Sequence, residues 1–188
     1  MRRVNYLIVC LLPGWLGMAS WAQERTSLEK IEESLRDDIP KLLCLDRSFA
    51  TGGQPSERAF AVLAANGFRS VLNLRTEQES NALPNEKESV EKAGLRYLHL
   101  PIVSSNPQPD QADKFRKLVK DPANHPMLIH CASANRVGAF WAIHRVADHG
   151  WSEEKALQEA ARIGLTSPLL KRFVHEYLEH TPSKSREP

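Results

Sequence analysis

Apolar positions along this chain change period several times, and the changes mark out alternating helices and strands. Leu28, Ile31 and Leu35 recur at helical spacing, with Ser27 placed to cap and Pro40 to stop a short, peripheral leading helix over 27–38. Residues 42–50 alternate like a strand and end at Thr51-Gly52-Gly53-Gln54-Pro55, a turn. Ser56 then stands as the cap of a helix over 57–66 that Gly67 closes. The run 68–75 reads as a buried strand, and an acidic loop and helix over 84–93 lead through Gly94 into a strand over 96–102. A polar, proline-containing loop over 103–109 precedes a helix over 110–120 with Ala112, Phe115, Leu118 and Val119 in register. Met127-Leu128-Ile129-His130 is a short apolar strand entered through Pro126, and it runs directly into Cys131-Ala132-Ser133-Ala134-Asn135-Arg136 and a helix over 137–149. Two more helices follow, 152–163 and 167–179, capped by Ser152 and Ser167, before a frayed tail over 181–188.

Strands alternating with helices of ten or more residues, then a run of helices, predict a three-layer α/β domain with a central, mostly parallel sheet flanked by helices. Ligands of such sheets sit at the carboxyl ends of the strands. Gly53, Arg75, Ser104 and Cys131 all fall at or just after such ends, so the pattern places them on one face.

Composition narrows the class. With 41% hydrophobic and 26% charged residues among 188, the chain reads as one ordinary globular domain, and three Cys are too few for a disulfide scaffold. The formal charge of +2, with no run of like charges, argues against attachment to nucleic acid or to a membrane surface by bulk electrostatics, so an anion site must be local.

The opening residues pair Arg2-Arg3 with the apolar stretch 7–18 and a small-residue site at Ser20-Trp21-Ala22, the three parts of a secretory signal cleaved after Ala22. That stretch holds Pro13, Gly14 and Gly17 and falls short of the roughly 20 residues a membrane-spanning helix needs. The reading is therefore an exported chain, periplasmic or secreted, with no membrane attachment after cleavage. It divides into a signal over 1–22, a helical lead over 23–40, the domain over 41–180 and the tail over 181–188. Cys44 and Cys131 then remain, and in an oxidising compartment they could pair as a disulfide. Nothing in the pattern fixes an oligomeric state.

Chemistry concentrates at 130–138. A cysteine just past a strand and just before a helix has its sulfur where free backbone N–H groups and the positive end of the helix dipole converge, which favours thiolate. The same amides can hold the oxygens of a phosphate, and Arg136 supplies a planar, permanently charged fork for two of them. Ala132, Ser133 and Ala134 keep the loop open, Asn135 and Val137 flank Arg136, Gly138 lets the first helical turn pack closely, and His130 is positioned to hydrogen-bond nearby backbone. The bland alternative is a buried strand-end cysteine and a surface ion pair of Arg136.

His130-Cys131 followed by Arg136 resembles the signature loop of the cysteine-dependent protein tyrosine and dual-specificity phosphatases. The wider resemblance, over about 42–177, is to the phosphatase-like domain of the beta-lactamase-hydrolase-like proteins. Its landmarks are Ala50-Thr51-Gly52-Gly53-Gln54-Pro55-Ser56, Val71-Leu72-Asn73-Leu74-Arg75, His99-Leu100-Pro101 and the stretch from His130 to Ala139. The resemblance implies a dual-specificity-phosphatase-like α/β fold, Cys131 as a nucleophile that forms a phosphocysteine, Arg136 as the phosphate clamp, and no metal or other cofactor.

Two departures stand out. The wider family has five residues between Cys and Arg where this chain has four, Ala132 to Asn135, a ring length that resembles the active loop of rhodanese-type sulfurtransferases. The wider family also donates a proton from an Asp on the loop after the third strand, where this chain has Ser104 and Ser105, and places Ser or Thr after the Arg, where this chain has Val137. Asp110, Asp113, Glu77 and Glu79 are the substitute acids. Gln54 borders the expected pocket with Gly53, and Arg75 is either an ion-pair partner of Glu77 or Glu79 or a second anion contact. The pairs His144/His149 and His175/His180 are five apart, off the spacing for two ligands on one helix face, so no metal is expected. Three readings follow: a phosphatase acting on a phosphorylated substrate, a sulfurtransferase acting on a sulfur-bearing anion through a Cys131 persulfide, and an oxyanion-binding module without turnover.

Overall fold

The structure is a computed structural model, described for residues 27–180. The signal segment, the first cysteine and the tail lie outside the described residues. Helix α1 covers 27–35. It is followed by β1 (Leu43–Cys44), β2 (Phe49–Gly52), α2 (Glu57–Ala65), β3 (Ser70–Asn73), α3 (Glu86–Lys92), β4 (Arg96–His99), α4 (Pro109–Lys120), a 3-10 turn at Pro122–Asn124, β5 (Met127–His130), α5 (Asn135–His149), α6 (Glu153–Ile163) and α7 (Pro168–His180).

The sheet order is β1-β2-β5-β3-β4, parallel throughout except for the antiparallel pairing of β1 with β2. The expected three-layer α/β architecture is therefore the observed one. Strand periodicity builds the layers: Phe49, Leu72, Met127 and Ile129 point to the side covered by α4 to α7, while Ala50, Val71 and Leu128 point to the side covered by α1, α2 and α3. Each central strand is buried on both faces, with apolar residues at its centre and Ser70, Asn73 and His130 at its ends.

Three expectations are corrected. The single strand over 42–50 is a hairpin, because the Asp46 carboxylate accepts the amides of Ser48 and Phe49 at 2.7 and 3.0 Å and turns the chain back. The leading segment is not peripheral, since Leu35 and Ile39 are fully buried against α2 and the sheet. Helix α5 begins at Asn135 rather than 137, so Arg136 sits in its first turn.

Helix α5 is buried along most of its length because it packs on the sheet, α6 and α7 together. Gly138 permits this approach: a Cβ there would lie 2.8 Å from the Ala160 carbonyl oxygen and 2.9 Å from the Leu165 Cβ. Gly138→Ala is expected to destabilise the fold by about 1–3 kcal/mol through overpacking against rigid backbone, read as a lower denaturant midpoint. An unchanged midpoint would mean that α6 moves away at no cost.

Candidate active site

The carboxyl ends of β2, β3 and β5 lie side by side, with Gly52, Asn73 and His130 in register, so the residues that follow each strand share one edge. From β5 the chain turns into a tight loop, Cys131 to Ala134, and then α5. Gln54 donates its amide to the Ala132 carbonyl and Gly53 bridges Ser133, which places the 53–54 turn along the loop. Ala134, the residue before α5, adopts a left-handed conformation with φ 65°, a conformation that costs an alanine about 1 kcal/mol. Its Cβ packs at Gly164, so the surrounding structure holds the strained turn.

This turn leaves five amides, those of Ala132, Ser133, Asn135, Arg136 and Val137, with no acceptor among the described residues. Three of them form the first turn of α5, where intrahelical partners do not exist. They join the helix dipole in creating a site of positive potential around the loop. Ala132 and Ser133 are exposed, while the Cys131 side chain is buried at the base.

The Arg136 guanidinium is also buried. Nη1 donates to the Ile102 carbonyl at 2.7 Å, the Leu74 carbonyl at 3.2 Å and Glu79 at 2.5 Å, and Nη2 donates to the other Glu79 oxygen at 2.7 Å. Burial works to lower the Arg136 pKa, but the Glu79 carboxylate and the neighbouring Cys131 outweigh it and raise the pKa above its ordinary value. The guanidinium thus stays charged beside the cysteine.

Glu79 is among the expected acids, and its surroundings correct that. Burial acts to raise its pKa, yet the hydrogen bonds from Arg136 and the Thr76 amide, with the charge of Arg75, bring it down to about 2. It is a fixed anion that positions Arg136. Because the pKa is lower in the folded chain than the ordinary 4.5, the pairing stabilises fully above about pH 4.5 and fades as pH falls toward about 2. Glu79→Gln is expected to cost about 2 kcal/mol near neutrality and progressively less across that acid window. A cost that stays constant with pH in denaturant titrations would contradict the pairing.

The other acid candidates sit elsewhere. Asp110 pairs with Lys114 at 2.9 Å, which holds its pKa low, and Asp113 accepts the Tyr177 hydroxyl at 2.6 Å. Glu77 lines a cavity of about 810 Å3 bounded also by Asn73, Glu79, Glu86, Tyr97 and His99. Arg75 resolves toward structure: Nε reaches Glu79 at 3.2 Å, Nη1 bonds Gln54 and the Asn81 carbonyl, and Nη2 bonds the Ser80 carbonyl.

Three loop residues use their side chains or close approach for tethering and packing, Gly138 as expected. The Asn135 Oδ1 accepts the amides of Thr166 and Ser167 at 2.8 and 2.9 Å, tying α5 to the α6–α7 connection. Val137 is buried in the core, and Gly138 faces Ala160 and Leu165. The two cysteines are free thiols that pack into opposite layers, which excludes the disulfide reading. Burial pushes the Cys44 thiol up to about 12 and leaves it inert.

Sequence reasoning missed the support beneath His130. Its Nε2 meets Glu86 Oε1 at 2.9 Å rather than backbone, and Glu86 also accepts Gln54 Nε2 at 2.6 Å and Asn73 Nδ2 at 2.9 Å. Asn73 further contacts the Tyr97 hydroxyl at 3.1 Å. Burial would raise the Glu86 pKa, but the bonds and charge of His130 with the Gln54 bond keep it below the ordinary value. A charged Glu86 accepts Nε2–H, while His130 Nδ1 is buried without a hydrogen-bond partner among the described residues. The strand-end position of Asn73, level with His130, was a usable signal; Glu86, one of several Glu in its segment, gave none.

A parallel α/β sheet with a cysteine loop at the carboxyl end of its central strand, leading into a buried helix, defines a fold of the dual-specificity and protein tyrosine phosphatase class. The chain belongs to the family described as DSP-PTPase phosphatase fused to NAD+ kinase, whose model matches residues 22–172. A beta-lactamase hydrolase-like protein of Xylella fastidiosa is 27% identical over 150 residues, which cover 71% of this chain and 35% of the relative, so the chain spans about a third of that protein's length. Among solved structures, a DUF442 protein of Shewanella putrefaciens superposes with a TM-score of 0.67 at 22% identity, over 79% of this chain and 97% of the other. The P. aeruginosa protein TpbA, solved with phosphotyrosine as a cysteine-to-serine variant, superposes with a TM-score of 0.59 at 19% identity, over 75% and 84% of the two chains.

Proposed function

We propose that this chain is a cysteine-dependent phosphatase in which the Cys131 thiolate attacks phosphorus and carries the phosphoryl group as a phosphocysteine. The observation that carries the reading is the run of five amides, without an acceptor among the described residues, that follows a buried cysteine with the charged Arg136 beside it. A phosphoryl group needs such donors at its non-bridging oxygens as charge develops there, and preformed donors supply it without reorganisation. The Arg136 bonds already described occupy Nη1 and part of Nη2, so Nε–H and the remaining Nη2–H are the donors left for an oxyanion over Cys131. Glu79 fixes the guanidinium, Glu86 fixes the His130 ring at the entry to the loop, and the left-handed Ala134 sets the turn from the loop into α5. Water then cleaves the phosphocysteine. No metal or cofactor takes part in this reading.

The fold shared with TpbA, which has been solved with phosphotyrosine, supports an aryl phosphate as the first probe. The reading also places the enzyme outside the cytoplasm, on the strength of the N-terminal basic, apolar and small-residue pattern, with the catalytic domain over 41–180. The test uses the full chain, reduced, on para-nitrophenyl phosphate and separately on thiosulfate with cyanide. Release of phosphate without thiocyanate supports the phosphatase; thiocyanate without phosphate would mean that the four-residue ring selects sulfur; neither would leave an anion-binding module.

A further inference from the structure

Cleaving a phosphoester leaves negative charge on the bridging oxygen. An alkoxide requires a proton in the transition state, and a positioned acid that supplies it is worth about 10²–10⁴ in rate. A phosphoanhydride requires none, because its leaving oxygen departs as part of a phosphate anion.

Among the described residues, none of the acids is held against the Cys131 loop as a proton donor. The loop that reaches over Arg136 follows β4: the Ile102 carbonyl accepts from Arg136, and the next residues are Val103, Ser104, Ser105 and Asn106, with Val103 51% exposed. None carries a carboxylate or an imidazole. Four of the acidic groups around that edge are committed. Glu79 is an anion bonded to Arg136, Glu86 is buried beneath His130, Asp110 is paired with Lys114, and Asp113 is bonded to Tyr177. The His99 Nε2 is held at 2.8 Å by the Arg75 carbonyl, and Glu77 faces the cavity beside Glu86. The donors that are free, amides and guanidinium, serve the non-bridging oxygens.

Resting on the phosphatase reading, we infer that the site selects a phosphoryl group carried on a weakly basic leaving oxygen, as in a phosphoanhydride, and discriminates against alkyl phosphoesters. The thiolate forms the S–P bond as the bridging P–O bond breaks, and that bond's electron pair leaves on the departing phosphate. Water then adds to phosphorus, the S–P pair returns to sulfur, and the products are thiolate and dihydrogen phosphate. No oxidant, reductant or enzyme-borne proton is needed.

The test measures kcat/KM of the full, reduced chain on aryl phosphates of rising phenol basicity, on inorganic tripolyphosphate and on phosphoserine. The expected result is a loss of at least about a hundredfold from para-nitrophenyl to phenyl phosphate, Cys131-dependent cleavage of tripolyphosphate, and little or none of phosphoserine. Aryl rates within about tenfold of one another would overturn the inference while leaving the phosphatase reading intact, and Glu77→Gln, Asp110→Asn and Asp113→Asn would then locate the acid as the variant whose dependence steepens. A steep aryl series with inert tripolyphosphate would overturn the choice of phosphoanhydrides. No Cys131-dependent release from any of these probes would sink the phosphatase reading itself.

Discussion

Cys131→Ser is expected to lower phosphate release from para-nitrophenyl phosphate by at least about a thousandfold while the chain still folds and still binds phosphate. The hydroxyl is close in size to the thiol, and Cys131 is buried among apolar neighbours, so little packing is lost. What disappears is the nucleophile: a serine alkoxide does not form near neutrality, and no base lies within the loop to make one. The five amides and Arg136 are untouched, so inorganic phosphate should bind with affinity close to that of the unaltered protein in a calorimetric titration. Loss of phosphate binding together with activity would assign Cys131 a structural role instead.

Arg136→Lys is the second large effect, expected at about 10²–10³ in kcat/KM with a loss of about 2–4 kcal/mol in stability. Charge is retained, so any loss reports geometry. The guanidinium satisfies both oxygens of Glu79 and the carbonyls of Leu74 and Ile102 at once, joining the loop after β3, the end of β4 and the first turn of α5. A single ammonium cannot span that set and also reach a phosphate. Kinetics with denaturant unfolding separates the two roles: activity that falls while stability holds points to the oxyanion contact, whereas a joint fall reflects the structural join as well. Activity within about threefold of the unaltered protein would mean that the fork is not used.

How much of this was legible depended on range. The strand Met127–His130 and the helix Glu153–Ile163 read directly from period and capping, because their apolar positions match the faces they bury. Local chemistry broke the reading at 42–50, where one Asp46 side chain makes a turn that alternation alone conceals. The start of α5 was misplaced for a similar reason, since it is set by the left-handed turn at Ala134, and alanine gives no sign of it. At the site, the cysteine, the arginine and their loop stand within six positions of one another. The carboxylates that hold the loop come from 44 and 57 residues away, from a segment whose many Glu look alike until folded. Glu79 changed from acid to anchor for that reason.

The central claim is that Cys131 carries the phosphoryl group. Rapid acid quenching of the reduced chain during turnover of para-nitrophenyl phosphate, followed by digestion and mass spectrometry, tests it directly. The account predicts a phosphoryl adduct on the peptide containing Cys131, absent from Cys131→Ser; phosphate release at an undiminished rate with no adduct there, or an adduct on another residue, would contradict it.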